Sequence, residues 1–287
     1  MNGSLLDLSG KIDGLTVGLF ETIGEVAGSL KIPFFVLGAM ARDMILTHGY
    51  GIDTGRATQD IDLGVQVSDW EAYEQLREGL IATGKFKRDK KQAQRLVYME
   101  IFPMDVIPFG AIAEPDNCLS WPPEHDTTMS TLGFEDAFRT SITIRLRSKP
   151  ILDILFVSLP GLAILKIISW DDNPARRGKD APDLLLIMRT YLDAGNQDRL
   201  LEENADLVEV EDFDYVRAGS RLLGRDIATI LSPKTRKVIV EILDRETKDQ
   251  DQFTLVESML NRGAESNAFE EALELLKEMK VGILEKP

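Results

Sequence analysis

The chain is most constrained between Phe34 and Val67, where FFVLGAMARDMILTHGYGIDTGRATQDIDLGVQV reads as strand, turn, helix, loop and strand. Phe34–Leu37 is a short apolar strand and Gly38-Ala39 is a turn. A helix then runs to about His48, and Gly49, Gly51 and Gly55 punctuate the loop that follows. Asp60 and Asp62 open the second strand. Side chains two apart on a strand share a face, so two carboxylates stand side by side at the mouth of an apolar strand. Like charges so placed call for a cation between them, and a divalent metal is the usual one. Taken alone, the pair reads first as surface acids at a strand mouth, since such pairs are common by chance.

The rest of the first half alternates helical and strand periods. Residues 1–31 read as one amphipathic helix, with Leu15, Val17, Phe20, Ile23, Val26 and Leu30 on its apolar side and Pro33 ending it. Ser68 is the expected N-cap of a helix striped by Trp70, Tyr73, Leu76, Leu80 and Ile81 and stopped at Gly84. RLVYMEIFPMDVIPFG (95–110) reads as two strands or one bent strand, broken at Pro103, with Asp105 in its second half. Pro115, Pro122 and Pro123 make residues 111–135 an extended excursion, and SITIRLR (141–147) and 151–157 close the region as strands.

From Leu159 the apolar period changes from two to 3.6. One helix starts near Pro160 and a second covers APDLLLIMRTYLDAG; short helical segments continue to about Lys280, with Gly282 as a stop. The expectation is an α+β domain over 1–158, a mixed sheet with flanking helices, followed by an all-helical domain over 159–287.

Composition narrows the chemistry. One cysteine, Cys118, excludes an internal disulfide and a cysteine-rich zinc site, and two histidines, His48 and His125, give poor support to a histidine metal site. The net charge of −15 argues against broad nucleic-acid binding but leaves two local basic runs, KFKRDKKQAQR (85–95) and ARRGKD (175–180), each also readable as a solvated face. The most apolar stretch, 150–170, is broken by Asp153, Pro160 and Lys166, so no membrane span is expected. The opening residues lack a basic start and a long apolar run, so a cytoplasmic protein is expected. Neither a GxxxxGK[ST] loop nor a GxGxxG turn after a strand occurs.

If the strand bearing Asp105 lies beside that of Asp60 and Asp62, three acids converge at one sheet edge, a donor set suited to magnesium and to in-line displacement at phosphorus. The ordered blocks VLGAMARDMI, RATQDIDLGV, MDVIPFG, LAILKIISW and RRGKDAPDLLLI resemble the AbiEii/AbiGii-type nucleotidyl transferase toxins over about residues 34–192, within the nucleotidyltransferase superfamily, with MenT-type toxins more distant. The resemblance implies that Asp60 and Asp62 bind Mg2+ (or Mn2+) holding a nucleoside triphosphate, and that Asp105, the third metal acid, orients or deprotonates the attacking hydroxyl. It places Gly38 and Ala39 against the triphosphate. Thr58 is a stand-in from the loop for the hydroxyl that Ala39 lacks, and Arg42 and Asp43 either touch the nucleotide or pair with one another or with neighbouring residues. Lys166 would reach the phosphates, or else snorkel at a helix edge, and Lys179, Asp180 and Asp183 would complete the site. The implied acceptor is an RNA or tRNA end or a protein, and the implied setting a toxin–antitoxin or phage-defence system with a cognate antitoxin. Ala39 stands where the superfamily carries serine, which leaves open a catalytically degenerate binding or interaction module.

Overall fold

The computed structural model describes residues 5–56, 58, 60–113, 115–122, 128–248, 253–260 and 266–285; Pro123 and His125 lie outside them. The chain divides into two compact units, Met1–Ser158 and Leu159–Pro287. The class is α+β, as expected from the sequence.

The first unit is built on a mixed sheet. Its strands are β1 (Leu5–Asp7), β2 (Phe34–Leu37), β3 (Ile61–Gln66), β4 (Phe86–Arg88), β5 (Arg95–Tyr98), β6 (Phe102–Phe109), β9 (Ile142–Ser148) and β10 (Ile151–Phe156), with β7 (Cys118–Ser120) and β8 (Thr128–Ser130) forming a separate hairpin. The order across the sheet is β1-β9-β10-β2-β3-β6-β5-β4. β2 and β3 are antiparallel, β3 and β6 parallel, β6 and β5 antiparallel. One face is closed by α1 (Gly14–Leu30) and α3 (Trp70–Ala82): Phe20 meets Phe156 edge-on at 5.6 Å, and the Tyr73 hydroxyl donates to the Val106 carbonyl at 3.0 Å. The other face carries Phe35, Phe109 and, from α4 (Phe134–Arg139), Phe134 and Phe138, an aromatic cluster with ring centroids 5.5–6.4 Å apart. Gly64 lets the Phe35 ring lie flat on β3, since a Cβ there would come within 2.3 Å of it.

Several expectations are corrected. Residues 1–31 are not one helix. A turn at Gly10, with φ of +79°, separates β1 from α1, and Asp13 caps α1 by accepting from the amides of Leu15 and Thr16. Asp69, not Ser68, caps α3: its carboxylate accepts from the Ala72 amide while Ser68 donates to it. The break between β5 and β6 falls at Met99 and Glu100, both at positive φ, whereas Pro103 lies inside β6 opposite Val97. The helix α2 (Gly38–Asp43) runs on as a π-helical turn over Met44–Gly49, which nothing in the residue pattern foreshadowed.

The second unit is helical: α5 (Leu159–Asp172), α6 (Asp180–Thr190), α7 (Gln197–Glu202), α8 (Tyr215–Ile230), α9 (Pro233–Thr247), α10 (Thr254–Met259) and α11 (Ser266–Leu284). α5 is buried on nearly every side. α8, α9 and α11 are longer than the short segments expected, whereas α7 and α10 are short, and Gly282 is not a stop but an internal residue of α11. It faces Gly224 of α8, their Cα atoms so close that a Cβ on Gly224 would lie 2.0 Å from the Met279 carbonyl oxygen, and one on Gly282 2.1 Å from that of Arg221. No helix among the described residues is long and apolar enough to cross a membrane.

Candidate active site

β3 and β6 run parallel with Asp62 directly opposite Asp105, and on the far side of β6 Arg95 lies opposite Asp105. On the near side of β3, Asp62 is opposite Leu37, the last residue before Gly38. Paired residues of neighbouring strands point to the same face. One row therefore crosses the sheet from the Gly38 turn through Asp62 and Asp105 to Arg95, with Asp60 just ahead of β3. The expectation that Asp60 and Asp62 share one strand is corrected by one residue, since β3 begins at Ile61; the register adds Asp105.

Gly38 has φ of +70°, a conformation that L side chains adopt only at a cost. Its bare Cα is what admits the Asp62 carboxylate, because a Cβ would come within 2.0 Å of Asp62 Oδ2. Ala39 follows half-buried at the start of α2. Arg42 is wholly buried, and its Nε and Nη2 donate to Asp43 at 2.8 and 2.6 Å; the Thr58 hydroxyl donates to the other oxygen of Asp43. Arg42 and Thr58 are thus tied to Asp43 in this structure, the alternative the sequence left open for Arg42. A cavity of about 550 Å³ adjoins them, lined among others by Met40, Asp43, Arg56, Thr58 and Phe102.

Asp105 is more enclosed than Asp60. Arg95 grips it with both prongs of its guanidinium, Nε to Oδ1 at 2.7 Å and Nη2 to Oδ2 at 2.8 Å, and comes within 3.7 Å of Asp60 Oδ2. The side chains of Arg95 and Asp105 are 20% and 16% exposed, against 49% for Asp60. The hydrogen bonds to Asp105 raise the Arg95 pKa further, against the cost of burial. Carboxylates at this edge have the oxygen chemistry that a hard divalent ion takes. Their present arrangement is a different one: among the described residues no three histidine, cysteine or acidic side chains are set to hold a metal, and the cation facing Asp105 and Asp60 is Arg95.

Arg95 was legible only as one charge in the basic run 85–95. A hairpin turn centred on Glu100 sets residues 95 and 105 opposite one another, and that count was the available signal. Half of the run's six cations are paired: Arg95 with Asp105, Lys87 with Glu100, and Arg88 with Glu74 and Glu78.

In the second unit Lys166 does not snorkel. It is 8% exposed, and its Nζ lies 2.6 Å from Asp180 Oδ1 and 2.9 Å from Asp183 Oδ2. Burial opposes the charge, but the two aspartates outweigh it and raise the lysine pKa. The second oxygen of Asp180 is buried without a hydrogen-bond partner among the described residues. Lys179, just ahead of α6, is exposed, as are Arg176 and Arg177. The structure thus ties Lys166, Asp180 and Asp183 into one cluster and leaves Lys179 at its margin.

A family model described as Nucleotidyl transferase AbiEii toxin, Type IV TA system, matches residues 26–275. Among solved structures, the antibiotic-resistance factor ANT(2'')-Ia is similar at 16% identity and a TM-score of 0.34, over 69% of this chain and 97% of that one. A CCA-adding enzyme in complex with ATP is similar at 17% identity and a TM-score of 0.33, over 91% of this chain and 66% of that one. The CCA-adding enzyme of Thermotoga maritima complexed with tRNA is similar at 15% identity and a TM-score of 0.31, over 92% of this chain and 67% of that one. The chain spans about two thirds of the length of these CCA-adding enzymes. No curated protein matches it.

Proposed function

The chain belongs to the AbiEii family of nucleotidyl transferase toxins, and we propose that it moves a nucleoside monophosphate from a nucleoside triphosphate to a hydroxyl acceptor at the sheet edge of Asp60, Asp62 and Asp105. The observation that carries this reading is the row itself: a glycine turn that admits one carboxylate, set in register beside a second. An edge of this kind offers oxygen ligands and bare backbone to a polyphosphate at the same point.

The acceptor oxygen attacks the α-phosphorus, the bond to the bridging α,β-oxygen breaks, and that electron pair leaves with pyrophosphate. Asp105 orients the acceptor hydroxyl and takes its proton. Asp60 and Asp62, with Asp105, would hold a divalent ion, which supplies charge neutralisation at the phosphates when bound. The Gly38 turn lets the backbone approach the triphosphate. An RNA or tRNA end or a protein is the acceptor, and an antitoxin partner is the setting, as the family's type IV description supports.

The test is incubation of the chain with each α-labelled nucleoside triphosphate, magnesium, total cellular RNA and cell protein, beside Asp62→Asn. Label should move to RNA or protein with the unaltered chain alone, and Asp62→Asn should keep its circular dichroism and lose transfer; full activity in that variant overturns the reading. A second reading, binding without transfer, is favoured by Ala39 in place of the superfamily's serine. Retained nucleotide binding with no pyrophosphate released in any acceptor mixture would select it.

A further inference from the structure

We propose that Arg95 is a working part of this site: it is the resident cation of the acidic row, and a divalent ion enters only by displacing its guanidinium from Asp105. The inference rests on the preceding reading of Asp60, Asp62 and Asp105 as ion-binding acids.

Both oxygens of Asp105 already accept from Arg95, at 2.7 and 2.8 Å. A hard divalent ion needs a carboxylate oxygen at about 2.0–2.6 Å and brings two positive charges to a place where a guanidinium already stands. The two cations cannot share the oxygens, so metal binding at Asp105 is an exchange. A cross-strand arginine–aspartate pair is not unusual in itself: Arg145 and Asp153 make the same two-pronged contact between β9 and β10, at 2.8 and 2.9 Å. What sets Arg95 apart is its second acid. It lies within 3.7 Å of Asp60, so one side chain bridges two members of the acidic set, and the strand register places it one position beyond Asp105 in the row that begins at Gly38. Without it, Asp105, Asp62 and Asp60 would face one another with no cation between Asp105 and Asp60, a repulsive arrangement in the ion-free protein. Arg95 therefore offsets part of the charge of Asp105 and Asp60 before the ion arrives, and its long side chain, carried on a hairpin strand, leaves when a stronger cation takes its place.

The experiment is calorimetric titration of the nucleotide-free chain with Mn2+, read as affinity rather than activity. Arg95→Ala should bind Mn2+ at least about tenfold more tightly than the unaltered chain, the scale of losing a competing charged hydrogen-bonded pair. Arg95→Lys, which keeps the charge but not the fork, should fall between. The gain should vanish in an Asp105→Asn background, and Arg145→Ala, which breaks the matching pair on β9 and β10, should leave Mn2+ affinity unchanged. Equal or weaker binding by Arg95→Ala, or a gain that persists without Asp105, overturns the proposal. Should Arg95→Ala fail to fold, Arg95→Lys decides it, and an unaltered affinity there overturns it as well. Binding that needs Asp62 yet ignores Arg95 removes only the role given to Arg95. Binding indifferent to Asp62→Asn, or none at all, removes the ion-binding reading of the acids, and this inference with it.

Discussion

Gly38→Ala separates a backbone cost from a site cost. Position 38 has φ of +70°, so an alanine there carries the left-handed penalty of about 1–2 kcal/mol. At roughly 2–4 °C per kcal/mol for a domain of this size, the melting temperature should fall by about 2–8 °C. The added methyl would also lie 2.0 Å from Asp62 Oδ2, 3.0 Å from its Cγ and 3.2 Å from its Cβ. Ordinary van der Waals contact begins near 3.4 Å, so the carboxylate has to swing by more than an ångström. A displacement of about 1 Å in a reacting constellation is enough to cost about 10²-fold in rate. The matched control is Gly84→Ala, where φ is +74° and nothing lies within 4 Å of the added carbon. Both variants should melt alike, while nucleotidyl transfer, followed as pyrophosphate release, should fall about a hundredfold in Gly38→Ala alone. Equal activities in the two variants would refute the claim that Gly38 serves as the seat of Asp62 rather than only as a turn residue.

Three further outcomes follow from other contacts. Lys166→Met removes the cation from two carboxylates that are 10% and 3% exposed, and should cost about 3–5 kcal/mol in urea unfolding; a variant as stable as the parent would contradict the buried cluster. Gly224→Ala drives a methyl to 2.0 Å from a backbone carbonyl of α11, which has no flexible side chain to move, so overpacking should cost about 1–3 kcal/mol or more, read in the same assay. Glu285, whose pKa burial raises but Arg225 and Arg221 lower to a net depressed value, stabilises the end of α11 above the unfolded glutamate pKa of about 4.3, and that contribution is lost as pH falls through the folded value. Glu285→Gln should therefore melt below the parent at pH 7, and the gap should close as pH falls through the depressed folded pKa; a gap undiminished in acid would refute the pairing.

Where residues act through neighbours in the chain, the sequence was informative. The strand at Phe34–Leu37, the turn at Gly38 and the strand carrying Asp62 follow from apolar period and glycine placement, and the change of period at Leu159 marks the start of α5. Capping was harder to read, because Ser68 and Asp69 are both competent and only the Ala72 amide direction selects between them. Gly282 shows the same difficulty in a helix. A glycine near a helix end reads as a stop, but the close approach of α8 makes its missing Cβ a packing requirement instead.

The acidic row shows where local reading ends for a physical reason. Asp60 and Asp62 are related by strand period, which the chain carries with it, whereas Arg95 and Asp105 are related by hairpin register, which depends on where the turn falls. Placing the break at Pro103 rather than at Met99 and Glu100 shifts that register and leaves Arg95 in a solvated basic run. With the turn in its observed place, the cation and the acid face one another from equal distances along the two strands. The charge balance of the site is therefore decided by two residues with positive φ, neither of them glycine, which hold the register that brings Arg95 onto Asp105.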